Sequence, residues 1–166
     1  MLIRYMRETD WDRVSYIFAQ AIDQGNCTMH RGVPEYAVWD ASRDEKGRLV
    51  AVIDGVVVGW TALTRVSARA CYDGVFELAI YVDKDFRRRG VGRALLDALT
   101  GETERLGIWT LEAHIFATNT ASIALHEACG FRTVGYREKL GYDKNGVWHD
   151  VVLMERRSHI VSWEGG

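Results

Sequence analysis

The sequence predicts an α/β fold in one domain, built on a mixed, mostly antiparallel sheet that is flanked by helices. Three observations predict it: strands joined by tight turns, helical segments that alternate with strands, and a strand that runs through a glycine turn into a helix. Hairpins interleaved with helices favour a sheet with helices packed on its faces. The 166 residues suffice for a single domain, which we predict at 1–157, followed by a polar tail at 158–166.

The first part of the chain is predicted to form a strand and two helices. Residues 2–6 are rich in apolar side chains and suit a strand. Apolar residues at helical spacing predict a helix from about 10 to 24, with Thr9 and Asp12 as its capping pair. A short helix is predicted at about 35–41.

The middle of the chain contains the clearest hairpin signal. Residues 49–53 and 56–63 are rich in β-branched side chains and flank Asp54-Gly55, a pair suited to the positive φ angles of a two-residue turn. A further strand is predicted at 75–82, and an amphipathic helix at about 90–106.

The last part of the chain is predicted to add a strand, a helix and a second hairpin. The strand covers 109–115 and the helix covers 120–129, where Gly130 suits a left-handed helix end. The final hairpin consists of 131–140 and 147–155.

The composition excludes several classes of function. A net charge of −2 and a pI of ≈ 6.2 disfavour nucleic-acid binding. The three cysteines are widely spaced, without a C-x-x-C pair, so neither a disulfide framework nor a metal site is predicted. We expect a cytoplasmic protein, because the sequence begins without a signal peptide and has no uninterrupted apolar run approaching ~18 residues.

The most informative segment is the glycine turn that follows the strand at 75–82. It places three arginines, at 87–89, directly before Gly90-Val91-Gly92 at the start of a helix. The first turn of a helix has free N–H groups and a positive dipole end, which together bind phosphate. Neither common nucleotide fingerprint is present. The turn therefore predicts a phosphate or pyrophosphate site, and an arginine-rich helix cap without a ligand is the alternative.

Arg87-x-x-Gly90-x-Gly92 resembles the pyrophosphate loop of the GCN5-related N-acetyltransferase (GNAT) superfamily, which binds coenzyme A. The segment from Asn119 to Phe131 is similar to a second segment of that superfamily. The resemblance implies a GNAT fold with splayed middle strands and acetyl-CoA as cosubstrate. It also implies that Asn119 bonds the pantetheine arm, although Asn119 is equally suited to cap a helix. The residues that the resemblance assigns to coenzyme A are Ile80, Tyr81, Val82, Arg87, Arg88, Arg89, Gly90, Val91, Gly92, Arg93, Asn119 and Ser122.

The resemblance extends to one branch of the superfamily. Glu77-x-x-x-Tyr81-Val82, Leu125-His126-Glu127 and Gly146-x-Trp148-His149-Asp150 are similar to segments of the phosphinothricin and methionine sulfoximine N-acetyltransferases, a branch that includes enzymes acting on arsenic-containing amino acids. This implies acetylation of a small amino-acid-like amine, a role in antibiotic or herbicide resistance, and a homodimer that pairs through the final hairpin.

Two residues are expected to take part in proton transfer. An amine must be neutral to attack a thioester, so a base is needed near neutral pH. The resemblance assigns this role to Glu77, acting through a water molecule, and a solvent-facing strand glutamate is the alternative. His126 stands where many GNAT enzymes have a proton-donating tyrosine. It could protonate the departing thiolate, the thiolate could leave unaided, or His126 could be a surface residue.

The resemblance also assigns side chains to the amine substrate. Arginine suits a carboxylate through its two-pronged geometry, and Arg69 with Tyr72 resembles the pocket-lining arginine and tyrosine of the branch. The loop reads Cys27-Thr28-Met29-His30-Arg31 where the branch has Thr-Phe followed by an acid-Thr pair, which alters the aromatic wall of the pocket. The residues assigned to the substrate are Thr28, Met29, Arg69, Tyr72, Trp148 and His149.

Three other functions stay open on the sequence alone. Acetylation of protein N-termini or lysines requires the same donor site and a more open groove. A non-catalytic coenzyme A sensor has no need of a base in the strand, so Glu77 disfavours it. Binding of nucleic acid through 87–89 requires a broad basic and aromatic surface.

Overall fold

The computed structural model describes residues 1–162 and confirms a mixed α/β fold. Within that range the chain forms one seven-stranded sheet and four α-helices. The strands are β1 Leu2–Tyr5, β2 Leu49–Ile53, β3 Val56–Arg65, β4 Val75–Val82, β5 Thr110–Phe116, β6 Arg132–Tyr142 and β7 Trp148–Arg157. The helices are α1 Trp11–Gln24, α2 Tyr36–Ser42, α3 Val91–Arg105 and α4 Thr120–Ala128.

The sheet opens in its middle. The strand order is β1-β2-β3-β4-β5-β7-β6, and β4 with β5 is the parallel pair. That pairing joins 75–77 to 110–112 and ends there, whereas β4 stays paired with β3 up to Val82 and β5 stays paired with β7 up to Phe116. The two strands therefore diverge beyond Glu77 and leave a wedge, which confirms the splayed middle strands predicted from the sequence.

The core lies on both faces of the sheet. On one face, α3 buries Leu95, Leu96 and Leu99 against the strands. On the other face, α1 and α2 bury an aromatic cluster that includes Trp39 and Trp60. Full burial of side chains of this size contributes roughly 1.5–3 kcal/mol each, so the two helical layers stabilise the sheet from both faces.

The start of α1 differs from the predicted capping pair. The chain forms a 3-10 turn at Glu8–Asp10, and the Asp10 carboxylate accepts the Arg7 backbone N–H at 2.8 Å. Asp10 also holds the guanidinium of Arg4 at 2.7 Å. The prediction that Thr9 caps the helix is wrong, because an ionised carboxylate one residue later binds both a backbone donor and an arginine.

The strand ends extend beyond their predicted limits where a partner strand continues. β3 runs to Arg65 because it pairs with β4 as far as Phe76. β6 and β7 pair out to Tyr142 and Trp148. Asp143 closes the turn between them, since its carboxylate accepts the N–H groups of Asn145 and Val147 at 2.8 and 3.1 Å.

The chain stays packed past the last strand. Ser158 is buried, and its hydroxyl donates to Glu104 on α3 at 3.0 Å. Part of the predicted tail at 158–166, namely residues 163–166, lies outside the described residues. The assignment of a single domain at 1–157 stays a prediction.

None of the helices formed by residues 1–162 combines the length and the apolar character required to cross a membrane.

Candidate active site

The wedge between β4 and β5 holds a cavity of about 510 Å³, here called the wedge cavity. Its walls are residues 78–81 of β4 and 113–116 of β5, with the loop residues 27–30 along one side. Glu77 lies at the point where the two strands separate, and its side chain is 44 % exposed. The divergence of two neighbouring strands thus creates a space whose walls are backbone as well as side chain.

A second cavity of about 500 Å³, here called the loop cavity, lies beside the first. It is lined by residues 80–82 of β4, by the loop before α3, and by the first turns of α3 and α4. The two cavities share lining residues and are therefore adjacent. The shared residues are Cys27, Ile80, Tyr81, Asn119 and Ser122.

The turn before α3 has the geometry of an anion site. Arg88 and Gly90 both adopt left-handed backbone angles, with φ of 57° and 76°. No atom would lie within 4 Å of a Cβ on Gly90, so the space in front of the turn is open. Left-handed residues in a turn can direct backbone N–H groups into a concave anion site, and the first N–H groups of α3 add to them. The turn therefore suits a phosphate or pyrophosphate group.

Neighbouring side chains hold this turn in place. Arg87 donates to the Gln24 side chain at the end of α1, at 2.8 Å. Arg89 lies over the Phe86 ring and, unlike the other predicted coenzyme A residues, does not line the loop cavity. These contacts tie two of the three arginines to the protein itself.

Asn119 serves two purposes at the start of α4. Its side chain accepts the Ser122 N–H at 3.2 Å and so caps the helix. The same residue lines both cavities. The cap fixes the side chain at the boundary between the cavities, and the role of Asn119 in binding a ligand stays a prediction.

Glu77 has a partner that the sequence analysis missed. His114 on β5 lies between two carboxylates, with its Nδ1 3.8 Å from Glu77 and its Nε2 3.7 Å from Glu112. His114 and Glu77 both line the wedge cavity. The parallel register sets Glu77 opposite Glu112, and His114 follows two residues later on the same face of β5.

His126 is a buried residue, so its alternative placement on the surface is wrong. Only 1 % of it is exposed, and it lines the wedge cavity. Its Nδ1 lies 2.8 Å from the Ser122 carbonyl, which assigns the hydrogen to Nδ1 and leaves Nε2 with a lone pair. Within residues 1–162, Nε2 is buried without a hydrogen-bond partner. Burial lowers the pKa of His126, so the neutral ring must first gain a proton before it can act as a proton donor.

The buried imidazole makes stability depend on pH. Because the folded pKa of His126 lies below the ordinary 6.5, the unfolded chain binds more protons than the folded chain once pH falls below that value. We expect the free energy of unfolding to fall as pH decreases below about 6.5, by up to about 1.4 kcal/mol per pH unit for this group, until the folded form is also protonated. In His126→Leu this slope is expected to flatten, as measured by urea unfolding across that range.

Two comparisons isolate this effect. Burial also lowers the pKa of His30, so the part of the pH dependence that is due to His30 remains in His126→Leu. The control is His159→Asn, a change at an exposed histidine. An unchanged pH slope in His126→Leu would contradict the burial of a neutral ring.

Two further groups in the cavities stay protonated near neutral pH. Burial raises the pKa of the Cys27 thiol, which donates to the Ala21 carbonyl at 3.4 Å. Burial also raises the pKa of Tyr81 to about 12. A protonated thiol is a poor nucleophile, which disfavours covalent catalysis through Cys27.

The structure brings together some of the predicted substrate residues and separates others. Thr28 and Met29 line the wedge cavity. Among residues 1–162, four of the predicted residues lie outside both cavities: Arg69, Tyr72, Trp148 and His149.

The separated residues contact other parts of the chain. Arg69 lies over the ring of Tyr72 in an exposed 3-10 turn. Trp148 is 57 % exposed on the final hairpin. His149 bonds Asp143 at 3.0 Å and stacks on Phe116, so it supports the wall of the wedge from behind.

The lining residues that were not predicted include three with polar or charged side chains, Arg43, Thr64 and His114. The order of the strands brings them to the wedge, and no local motif marks them. Across residues 1–162, no group of three histidine, cysteine, aspartate or glutamate side chains is arranged to hold a metal ion.

Comparisons with known proteins agree with this geometry. Residues 5–131 match the acetyltransferase (GNAT) family. A phosphinothricin N-acetyltransferase from Alcaligenes faecalis is 33 % identical over 164 residues, covering 93 % of this chain and 81 % of that protein.

Solved structures share the fold. A ribosomal-protein-alanine N-acetyltransferase from Brucella melitensis has a TM-score of 0.88 at 29 % identity, covering 95 % of this chain and 100 % of that chain. A phosphinothricin acetyltransferase from Sinorhizobium meliloti, solved in complex with acetyl-CoA, has a TM-score of 0.85 at 29 % identity, covering 94 % of this chain and 87 % of that chain. The chain therefore belongs to the acetyltransferase (GNAT) family of N-acetyltransferases.

Proposed function

We propose that this N-acetyltransferase moves an acetyl group from acetyl-CoA to the amino group of a small amino-acid-like molecule, with phosphinothricin and methionine sulfoximine as candidate substrates. The observation that carries the proposal is the adjacency of two cavities that share lining residues, one containing the glycine turn before α3 and the other containing Glu77. The similarity to phosphinothricin N-acetyltransferases supports the choice of substrate class.

The residues present fit acetyl-CoA. The N–H groups around Gly90 and the start of α3 would hold its pyrophosphate, and the space in front of Gly90 is open. The unpaired edge of β4 beyond Glu77 offers backbone groups that an extended pantetheine arm would pair with, as an added strand does. When bound, acetyl-CoA supplies a thioester as the acetyl donor.

Glu77 prepares the amine. The nitrogen that attacks the acetyl carbon must give up a proton, and Glu77 accepts it through a water molecule held in the wedge cavity. The new carbon–nitrogen bond forms as the carbon–sulfur bond breaks, and the thiolate leaves with the electron pair of that bond. Backbone N–H groups along 78–82 can stabilise the oxygen that gains negative charge during the attack.

His126 suits the role of a hydrogen-bond acceptor better than that of an acid. Its Nε2 carries a lone pair, and burial lowers the pKa of His126, so the protonated form is rare near neutral pH. We infer that the thiolate leaves unaided or takes its proton from water. Tyr81, with a pKa of about 12, keeps its hydroxyl hydrogen and lines both cavities.

Acetylation of a protein N-terminus is the second candidate function, because the Brucella melitensis neighbour is a ribosomal-protein-alanine N-acetyltransferase. The two candidates require the same donor site and differ in the acceptor. A coenzyme A sensor is disfavoured, since it has no need of an exposed carboxylate at the opening of the sheet.

The experiment that tests the proposal measures free thiol release from acetyl-CoA with a panel of amines. The panel contains methionine sulfoximine, methionine sulfone, phosphinothricin, arsinothricin, common amino acids and a peptide beginning with alanine. We expect at least one free amino acid or analogue to be turned over faster than the peptide. Turnover of the peptide alone would favour the second candidate, acetylation of a protein N-terminus. Absence of turnover with every amine would contradict both candidate functions.

The homodimer, the cytoplasmic location and the role in resistance stay predictions. The final hairpin gives the dimer some support, since β6 is an edge strand with exposed apolar side chains. These include Val134, Tyr136, Leu140 and Tyr142.

A further inference from the structure

Arg43 is a cation that faces the wedge cavity without a carboxylate partner. It follows directly after α2, and its Nη1 donates to the Thr64 hydroxyl at 2.7 Å. Its Nε is buried and has no hydrogen-bond partner within the described part of the chain. A guanidinium has five N–H donors. The Thr64 hydroxyl takes one of them, and the remaining donors on Nη1 and Nη2 can reach a ligand in the cavity that Arg43 lines.

Arg43 differs in this respect from other arginines with partly buried side chains. Arg4, Arg13, Arg48 and Arg156 each pair with an aspartate or glutamate. Such pairing offsets the cost of removing the charge from water. Across residues 1–162, Arg43 has one neutral hydroxyl in place of such a partner. An unpaired guanidinium beside a cavity therefore calls for an anion that enters with the ligand.

The position of Arg43 relative to Glu77 defines the shape of that ligand. Thr64, which holds Arg43, stands directly opposite Glu77 in the antiparallel register of β3 and β4. Side chains in such a pair have Cβ atoms roughly 4.5–5.5 Å apart. Within the described residues, Arg43 and Glu77 are the only lining side chains of the wedge cavity that carry a permanent charge, and no ion pair joins them. The cavity thus presents one positive and one negative group, and the residue that holds the first is paired with the second across β3 and β4.

We propose that Arg43 binds the α-carboxylate of the acceptor and that the enzyme therefore selects free α-amino acids over peptides. This inference rests on the proposed acetyl transfer and names the part of the substrate that the site recognises. In a free α-amino acid the carboxylate and the amino group are attached to the same carbon, which matches a cation held by Thr64 and a carboxylate at the position paired with Thr64. A planar guanidinium can bind both carboxylate oxygens at once.

The same geometry disfavours a peptide N-terminus. There the carbon beside the amine carries an amide, which offers one neutral oxygen in place of a carboxylate. Binding such a group would leave the guanidinium unpaired in the cavity. Arg69, predicted for this role from the sequence, lies outside the cavity over the ring of Tyr72.

The test compares each free amino acid of the panel with its own carboxamide, which keeps the amine and the side chain and removes the negative charge. Wild-type kcat/KM is expected to favour the acid. In Arg43→Gln we expect kcat/KM to fall about 30- to 100-fold for the acid and to change less than about threefold for the carboxamide. Arg43→Lys keeps the positive charge without the two-pronged geometry, and its kcat/KM for the acid is expected to lie between the values of the wild type and of Arg43→Gln.

Further variants keep the result interpretable. Thr64→Val removes the hydroxyl that holds Arg43 and is expected to raise KM for the acid with a smaller change in kcat. Arg105→Gln is the matched control, because its side chain is 64 % exposed on α3. Binding of acetyl-CoA, measured by calorimetry for each variant, is expected to stay unchanged and shows that the fold and the donor site are intact.

The outcomes separate this inference from the proposed function. Equal turnover of acids and carboxamides by the wild type, or equal losses on both in Arg43→Gln, would overturn the inference and leave acetyl transfer standing. A loss of acid preference in Arg69→Gln, with Arg43→Gln unaffected, would move the anchor to Arg69. Absence of turnover with every amine would overturn the proposed function itself.

Discussion

Replacing Glu77 with glutamine is expected to lower kcat by about 100- to 10,000-fold, the range that a positioned general base contributes. Glutamine keeps the size of the side chain and removes its ability to accept a proton. Glu77 is well placed for proton exchange, because it lines the wedge cavity and is 44 % exposed to solvent. The donor site lies at the other end of the paired cavities, so KM for acetyl-CoA is expected to stay within about threefold.

The pH dependence of the variant gives a second readout. Without a base, only amine molecules that are already neutral can attack, so the rate of Glu77→Gln should rise about tenfold per pH unit below the amine pKa. Glu112→Gln is the matched control, because Glu112 flanks the other side of His114 and does not line the wedge cavity. Activity that survives in Glu77→Gln at neutral pH would remove the assignment of the base and retain the enzyme class.

Replacing Gly47 with alanine is expected to lower the free energy of unfolding by about 2–4 kcal/mol. Gly47 has a φ of +68°, which an L-residue adopts at a cost. A Cβ there would also lie 2.6 Å from Leu63 and 2.9 Å from Leu99, both fully buried. The change therefore strains the backbone and overpacks the core between β3 and α3 at the same time.

Two other glycines separate these causes. Gly55 has a φ of +79° with no atom within 4 Å of a Cβ, so Gly55→Ala should cost only the backbone strain, about 1–2 kcal/mol. Gly101 lies in α3 with open space around it, so Gly101→Ala should stabilise by about 0.5–1 kcal/mol. Urea unfolding of the three variants measures the order. If the free energy of unfolding falls no more in Gly47→Ala than in Gly55→Ala, the core side chains around Gly47 move to accommodate the added methyl group.

Local signals predicted most of the elements. Asp54-Gly55 turns as a hairpin because both residues take the positive φ that the turn requires. The glycine turn before α3 was also predictable from a local signal, since its arginines, its glycines and the start of α3 are adjacent in sequence. The error at Thr9 arose because Asp10 also binds Arg4, a contact that the capping pattern does not contain.

The composition of the wedge depends on contacts between distant parts of the chain. Arg43 reaches the cavity because Thr64 holds it, and Thr64 stands beside Glu77 only once β3 pairs with β4. His114 joins the site because β5 enters the sheet next to β4 after an intervening helix. No local pattern encodes either event.

The burial of single residues was equally hard to predict. His126 follows Leu125 on a short helix whose apolar positions do not form a clear stripe, so its buried position depends on how α4 covers the wedge. Arg69 and Tyr72 resemble pocket residues in sequence, yet their exposed 3-10 turn holds them against each other. A motif thus identified the chemistry, and the splay of the sheet decided which side chains meet.

The most direct test of acetyl transfer uses acetyl-CoA that carries an isotopic label in its acetyl group, incubated with a free amino acid from the panel and a peptide beginning with alanine in one mixture. Mass spectrometry then locates the label. The account predicts labelled N-acetyl amino acid as the main product, with release of an equal amount of free coenzyme A and strong suppression in Glu77→Gln. Label found on the peptide alone, or coenzyme A released without any labelled amide, would contradict it.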